Sequence, residues 1–207
     1  MTIVEDRPAQ AGISEGGFAA ARRAMIDGQL RVSGVNADFV RERMGTVARE
    51  DFVPETAKGI AYMDRAIELG NGRYLAAPLV HGQMLAEAAP TIYDRALLVD
   101  GGSGYLAELL GPLVASLEVV SPDQALEKGR KQDKFTLLVI DGAIEALPET
   151  LAARLADNAR VVTGLVSRGL TRLAAGRKIA GEVSLIPLAD IGIPILPEFA
   201  APKSWSF

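Results

Sequence analysis

The sequence predicts an α/β protein with a doubly wound, mostly parallel sheet. In the second half of the chain, short apolar runs alternate with helical stretches, and such alternation is typical of a parallel sheet covered on both faces. Near the end the alternation stops. Runs at 170–175 and 182–188 bracket Gly176 and Gly181, which predicts an antiparallel hairpin at the sheet edge. The 207 residues suit a single domain, because a domain usually holds about 100–200 residues.

The region before residue 91 is predicted to be mainly helical. Residues 1–15 are polar and lack apolar periodicity, so we expect a flexible tail there. In the segment 16–90, apolar residues at helical spacing predict three helices, at 18–30, 37–47 and 78–89. Before the third helix, Gly70, Asn71 and Gly72 predict a loop over 64–77.

Residues 91–207 are predicted to form the sheet and its covering helices. Short apolar runs predict four strands, at 96–99, 116–120, 135–140 and 160–166. Between them we expect three helices, at 105–110, from Pro122 onward, and at 148–156. The last stretch is rich in proline, and its Trp205 and Phe207 are expected to serve in apolar packing or at a contact with another molecule.

The composition argues against several classes of function. Lys and Arg number 22 and Asp and Glu 26, so the net charge is -4; a nucleic-acid partner is not expected, because phosphate binding needs a basic surface. The absence of cysteine and the single histidine exclude the usual zinc sites. No apolar run reaches the ~18 residues of a membrane span, and the N-terminus lacks the apolar part of a secretory signal. We therefore expect a cytoplasmic protein without a metal or a membrane partner.

A glycine-rich turn joins the first predicted strand of the sheet to the next helix. It reads Asp100-Gly101-Gly102-Ser103-Gly104. Glycines let the main chain approach a ligand, and turns of this kind bind nucleotides at strand ends. The turn matches neither the dinucleotide pattern G-x-G-x-x-G nor a P-loop. Two interpretations stay open on the motif alone: an S-adenosylmethionine site, which uses a shorter turn, or a tight strand-to-helix turn without a ligand.

Further segments follow one another as they do in a known enzyme family. They are Gln29-Leu30, 47–54 (VAREDFVP), 61–64 (AYMD), 69–72 (LGNG), Pro78, Met84, 102–105 (GSGY), 135–141 and 148–162. On these segments the chain resembles the protein-L-isoaspartate O-methyltransferase family from about Ala24 to its end. The resemblance implies a Rossmann-like methyltransferase fold, S-adenosylmethionine as the cofactor, and isoaspartyl side chains of damaged proteins as the substrate in protein repair.

The resemblance also implies which residues form the site. The cofactor positions fall on Asp100, Gly101, Gly102, Ser103, Gly104 and Tyr105. Asp141 is expected to face the same crevice, because ligands lie beyond the carboxyl ends of parallel strands; alternatively it forms a turn with Gly142. The substrate loop falls on Tyr74, Leu75, Ala76, Ala77 and Pro78. A substrate carboxyl group with a pKa of ~3.9 is ionised at pH 7, so the reaction needs orientation rather than a general base.

Single positions in both loops depart from the family pattern, and Ala76 and Asp100 are the main ones. The serine that family members present to the reacting carboxylate is Ala76 here, which has no hydrogen-bond donor. Losing one placed donor costs about 100- to 1000-fold in rate in other enzymes. The first glycine of the cofactor loop is Asp100, which could instead cap the turn by bonding its own main chain.

The cofactor region is also shortened. The stretch 105–135 has room for one helix, one strand and one helix, so we expect one strand fewer than in the family. The acid that binds the ribose in the family has no clear counterpart. At the end of the second strand, where this acid is expected, the sequence has Val120 or Ser121. Glu118 lies mid-strand, where we expect an exposed strand face, and Asp123 lies after the strand.

Three functions therefore stay open. The first is an active carboxyl methyltransferase. The second is a catalytically inactive homologue that acts as a binding or regulatory scaffold, and the combined departures favour it. The third is a methyltransferase for another substrate. His81, the single histidine, is expected to be a partly buried packing residue rather than a catalytic one.

Overall fold

The N-terminal segment is helical, as predicted. The structure, a computed structural model, describes residues 15–130 and 134–201. In chain order the elements are α1 (Glu15–Met25), a π-helical turn (Ile26–Leu30), α2 (Asp38–Thr46) and two 3₁₀ turns (Arg49–Phe52 and Glu55–Ile60). The tail expected over 1–15 lies outside the described residues, apart from the first residue of α1.

The loop predicted over 64–77 is wrong, because this stretch contains a small hairpin. The elements here are β1 (Ile67–Gly70), β2 (Arg73–Leu75) and the helix α3 (Pro78–Ala88). β1 and β2 pair antiparallel. The two residues between them, Asn71 and Gly72, have φ of 53° and 72°, and positive φ at both central positions is what a tight two-residue hairpin turn requires.

A six-stranded sheet forms the centre of the fold. Its strands are β3 (Arg95–Val99), β4 (Ser116–Val120), β5 (Phe135–Ile144), β6 (Leu155–Ser167), β7 (Leu170–Ile179) and β8 (Glu182–Asp190). They lie in the order β4-β3-β5-β6-β7-β8. The first four strands pair parallel, whereas β7 and β8 are antiparallel. The predicted mostly parallel sheet with an antiparallel edge is confirmed.

The elements of this half differ from the prediction mainly in length. Its helices are α4 (Tyr105–Leu110), α5 (Pro122–Ala125) and α6 (Glu149–Arg154). α6 is shorter than predicted because Leu155 already belongs to β6. The hairpin strands β7 and β8 are longer than predicted. Gly176 lies inside β7, where a Cβ atom would come within 1.8 Å of the carbonyl oxygen of Ser184.

Alternate residues of the strands point to opposite faces, and both faces are covered. Leu98 and Val139 belong to the apolar cluster that also holds residues of α1 to α4. Their neighbours Val99 and Ile140 belong to a second cluster with α5, α6 and a 3₁₀ turn at Pro197–Phe199. Continuous apolar strands of this kind are typical of a sheet buried on both sides.

The sheet order places a crevice at the end of β3. β3 lies between β4 and β5, so the chain leaves it in one direction and returns on its other side. Ligands of such sheets bind at this switch point, beyond the carboxyl ends of the strands. Within the described part of 105–135, β4 is the one strand, as expected from the shortened sequence.

Candidate functional site

The glycine loop follows β3 and packs closely against β5. Gly102 and Gly104 have φ of 110° and 72°, a conformation that side chains rarely tolerate. A Cβ atom on Gly101 would lie 2.3 Å from the main-chain oxygen of Asp141. The glycines therefore allow the loop to pack closely against β5, and both interpretations of the turn, with or without a ligand, are compatible with this packing.

Asp100 caps this loop and links it to β4. Its Oδ1 accepts a hydrogen bond from the main-chain N–H of Gly104 at 3.0 Å, so the capping interpretation of Asp100 is correct. Its own N–H donates to the carbonyl oxygen of Val120 at 2.9 Å. Burial and the nearby negative charge of Asp141 raise the pKa of Asp100. The aspartate is thus both a structural cap and part of a negatively charged surface.

Asp141 lies in β5 with its carboxylate buried against the loop. Its Oδ1 is 2.9 Å from Nε2 of His81. Its Oδ2 is also buried and has no hydrogen-bond partner among the residues that the structure describes. Buried polar atoms are nearly always paired, so this oxygen is available to a ligand group.

His81 bridges two buried charged residues. Its Nδ1 is 3.2 Å from Nη1 of Arg49, and its ring is fully buried. A guanidinium can only donate, so Nδ1 accepts and the Nε2–H donates to Asp141. His81 is fully rather than partly buried, and it is hydrogen-bonded because three separate elements bring Arg49, His81 and Asp141 together. That it is not catalytic stays a prediction.

Arg49 connects this chain of hydrogen bonds to the substrate loop. Its Nη2 donates to the main-chain oxygen of Ala76, and its Nε donates to that of Ala61 at 2.7 Å. Burial lowers the pKa of Arg49. The main chain at Ala76 is thereby fixed, although the alanine offers no side-chain donor and is itself buried.

Tyr105 is placed by packing. Its ring centroid lies 5.2 Å from that of Phe52 and 5.3 Å from that of His81, and the guanidinium of Arg49 lies 5.1 Å away. Burial raises the pKa of its hydroxyl to about 12. The ring holds α4 against the N-terminal segment, and its contact with a cofactor stays a prediction.

The rest of the substrate loop borders an open cleft. Leu75 and Pro78 are buried, whereas Tyr74 is exposed. Tyr74 and Ala77 line a cleft of about 520 Å³ whose opposite wall is formed by residues 191–195. Asp64 and Arg65 also line it, so the cleft is apolar with charged groups at its border.

A second cleft of about 500 Å³ lies beside the carboxyl end of β4. Val120, Gln124 and Glu118 are among its lining residues. Glu118 forms an ion pair with Arg154 while its side chain stays 44% exposed, so the exposed strand face predicted for it is confirmed. Ser121, a candidate position for the ribose acid, caps α5 instead. Because Asp100 bonds to Val120, this cleft adjoins the glycine loop.

The C-terminal segment 194–198 packs against β5 and β2 beside the glycine loop. The sequence did not indicate this. The N–H of Ala143 donates to the carbonyl oxygen of Pro194 at 2.7 Å, and the N–H of Leu196 donates to that of Ala143 at 2.9 Å. Farther on, Glu198 forms an ion pair with Arg73 of β2 at 2.6 Å. Contacts across 125 positions leave no local pattern in a sequence.

The described residues contain neither a metal-binding cluster nor a membrane-spanning helix. Within 15–130 and 134–201 there is no cluster of three His, Asp or Glu side chains with metal-binding geometry. Over those ranges no helix has both the length and the apolar character needed to cross a membrane. Trp205 and Phe207 lie outside the described residues.

The doubly wound sheet and the glycine loop define a Rossmann-like α/β protein. A family model for protein-L-isoaspartate(D-aspartate) O-methyltransferase matches residues 20–128. A protein-L-isoaspartate O-methyltransferase of Koribacter versatilis is 30% identical over 199 residues, covering 84% of this chain and 89% of that protein. The chain therefore belongs to the protein-L-isoaspartate O-methyltransferase family, as the sequence resemblance indicated.

Other comparisons agree with this assignment. The protein-L-isoaspartate O-methyltransferase of Methanoculleus marisnigri is 26% identical over 204 residues, covering 86% of this chain and 92% of its own. Among solved structures, a Plasmodium falciparum protein assigned to the same activity superposes with a TM-score of 0.70 at 17% identity. It covers 87% of this chain and 98% of its own, and it is in complex with S-adenosyl-L-homocysteine. At this identity the superposition supports the fold.

Proposed function

We propose that the chain is an S-adenosylmethionine-dependent methyltransferase that acts on isoaspartyl carboxylates of proteins or peptides. The observation that carries the proposal is the buried, unpartnered Oδ2 of Asp141 at a glycine loop. The family and its named members support the same reaction class. The cleft beside Tyr74 and Ala77 lies at the substrate loop and is large enough for a short peptide segment.

The residues at the loop fit the cofactor. Asp100 and Asp141 place two carboxylates where a positively charged group would be bound, and burial, together with the nearby charge of Asp141, raises the pKa of Asp100. The cleft at Val120 would hold the nucleoside part. When bound, the cofactor supplies an electrophilic methyl group.

The chain's own contribution is orientation. An isoaspartyl carboxylate is ionised at neutral pH and requires no general base. Arg49 fixes the main chain of Ala76 and, through His81, the carboxylate of Asp141. The substrate loop and the cofactor loop are therefore held at a set distance, and a fixed arrangement of two reactants lowers the barrier of such reactions.

Calorimetric titration with S-adenosylmethionine and S-adenosylhomocysteine tests the cofactor. We expect micromolar binding, about -8 kcal/mol. Methyl transfer would then be measured on an isoaspartyl peptide, with the normal aspartyl peptide of the same sequence as the control. Methylation of the isoaspartyl peptide alone supports the proposal.

The other outcomes separate the remaining hypotheses. Absence of binding at millimolar cofactor would reject the proposal and favour the inactive scaffold, which rests on Ala76 and Asp100. Binding without transfer to either peptide would favour a methyltransferase with another substrate.

A further inference from the structure

Arg73 lies directly on the glycine loop. A Cβ atom on Gly102 would lie 3.1 Å from Cγ and 3.2 Å from Cβ of Arg73. The stem of the arginine thus covers the face of the loop at Gly102, and a side chain at this position would have to displace it. Arg73 belongs to β2, immediately before the substrate loop, so a cationic side chain reaches from the hairpin to the cofactor loop.

An internal carboxylate currently satisfies this guanidinium. Glu198 accepts from both Nη atoms of Arg73, at 3.3 and 2.6 Å. Their side chains are 25% and 17% exposed, so the ion pair is partly exposed to water. Paired contact of this kind is how arginine binds a carboxylate of any origin.

The charged residues around the loop are opposite in sign to the two charged groups of an amino acid. Asp100 and Asp141 supply two carboxylates beside the glycine loop, and the stem of Arg73 crosses Gly102 and carries its guanidinium to Glu198. An amino-acid end carries one ammonium and one carboxylate group. The loop can therefore bind both groups, each opposite a residue of the other sign.

We propose that Arg73 binds the carboxylate of the cofactor's amino-acid end and that Glu198 is the internal carboxylate it exchanges for that group. The inference rests on the proposed function, because it assigns a binding residue for the same cofactor. Exchange of one carboxylate for another leaves the guanidinium paired throughout. It also frees the 3₁₀ turn at Pro197–Phe199 from the hairpin when the cofactor is bound.

Arg73→Gln tests the first half of the proposal. The probes are S-adenosylhomocysteine and 5′-methylthioadenosine, which has the nucleoside and sulfur but no amino-acid end. Hydrogen bonds to charged groups account for about 10- to 100-fold in affinity, so Arg73→Gln should weaken S-adenosylhomocysteine binding by that factor. Binding of 5′-methylthioadenosine should be unchanged, which also shows that the variant is folded. Arg73→Lys should restore only part of the loss, because lysine lacks the paired donors.

Glu198→Gln tests the exchange. Without the competing charge, S-adenosylhomocysteine should bind about two- to fivefold more tightly, the range expected for a partly exposed ion pair. The control is Asp190→Asn, which removes the carboxylate of the ion pair with Arg172 on the hairpin β7–β8. That variant should leave the affinity for both probes unchanged.

The results separate this inference from the proposed function. If the unaltered protein binds neither probe, both fail. If it binds S-adenosylhomocysteine but Arg73→Gln weakens both probes equally or neither, the assignment of Arg73 is wrong while the proposed function stands. Unchanged or weaker S-adenosylhomocysteine binding by Glu198→Gln would overturn the exchange.

Discussion

Replacing His81 by leucine should remove a large part of the stability of the fold. In this variant Nη1 of Arg49 and Oδ1 of Asp141 both lose their partner, which lies at 3.2 and 2.9 Å in the native protein. Each buried group left unsatisfied costs about 1–3 kcal/mol, so the two together cost about 2–6 kcal/mol. Burial of the leucine side chain offsets part of this, and we expect a net loss of about 2–4 kcal/mol out of a total of about 5–15 kcal/mol.

Urea unfolding at pH 7 measures the loss, and a double-mutant cycle assigns its cause. His81→Leu, Asp141→Asn and the double variant should show a coupling free energy of about 1 kcal/mol or more. The reason is that both single changes disrupt the same hydrogen bond between His81 and Asp141. Met84→Leu is the control on the same helix: it is equally buried and conserves volume, so it should cost less than about 1.5 kcal/mol. Single losses that add to within about 0.5 kcal/mol would refute the reasoning, and His81 would then be a packing residue.

Three further changes test the site. Ala76→Ser should raise kcat by about tenfold or more, because it returns a hydrogen-bond donor. The control is Ala77→Ser at a position that lines the cleft, and it should leave kcat unchanged. An unchanged kcat in Ala76→Ser would mean that its hydroxyl does not reach the substrate. Asp100→Asn keeps the acceptor for Gly104 and removes a carboxylate whose pKa is raised by burial, so the variant should be more stable than the native protein at pH 7. That difference should vanish as the pH falls below the ordinary value of 3.8, and a difference that persists in acid would contradict the assignment. Burial alone would raise the pKa of Glu198, but the hydrogen bond from Arg73 holds it below its ordinary 4.5. The stability that Glu198→Gln removes should therefore be fully present at pH 7 and be lost in unfolding curves as the pH falls below 4.5 and through the lowered pKa.

The sequence predicted the parts of the fold that local patterns encode. The apolar runs of β3 and β5 and the glycine turn after β3 are continuous in the chain, and the structure has them in place. The hairpin of β1 and β2 was missed because strands of four and three residues are too short to show a period. In that case Asn71 and Gly72 were recognised as turn residues, but not as the turn of a hairpin.

The site was predicted only where it is contiguous. The glycine loop could be named residue by residue, whereas the interaction of Arg49 with His81 spans 32 positions and that of His81 with Asp141 spans 60. The ion pair of Arg73 and Glu198 is more distant still. Each of these residues has an ordinary alternative role in the sequence, as a surface charge or a core position. Which role each residue takes is decided by its contacts in the folded protein, which the sequence pattern does not show.

The two loops that carry the departures from the family pattern are connected through buried residues. Ala76 lacks the family's hydroxyl, yet its carbonyl oxygen is the acceptor that fixes Arg49. The same arginine positions His81, which holds the carboxylate of Asp141 against the glycine loop. A continuous series of buried hydrogen bonds therefore joins the substrate loop to the cofactor loop. Because these hydrogen bonds join the substrate loop to the cofactor loop, the rate effect of Ala76→Ser should depend on whether Asp141 is intact, and kcat of the two single variants and the double variant measures this dependence.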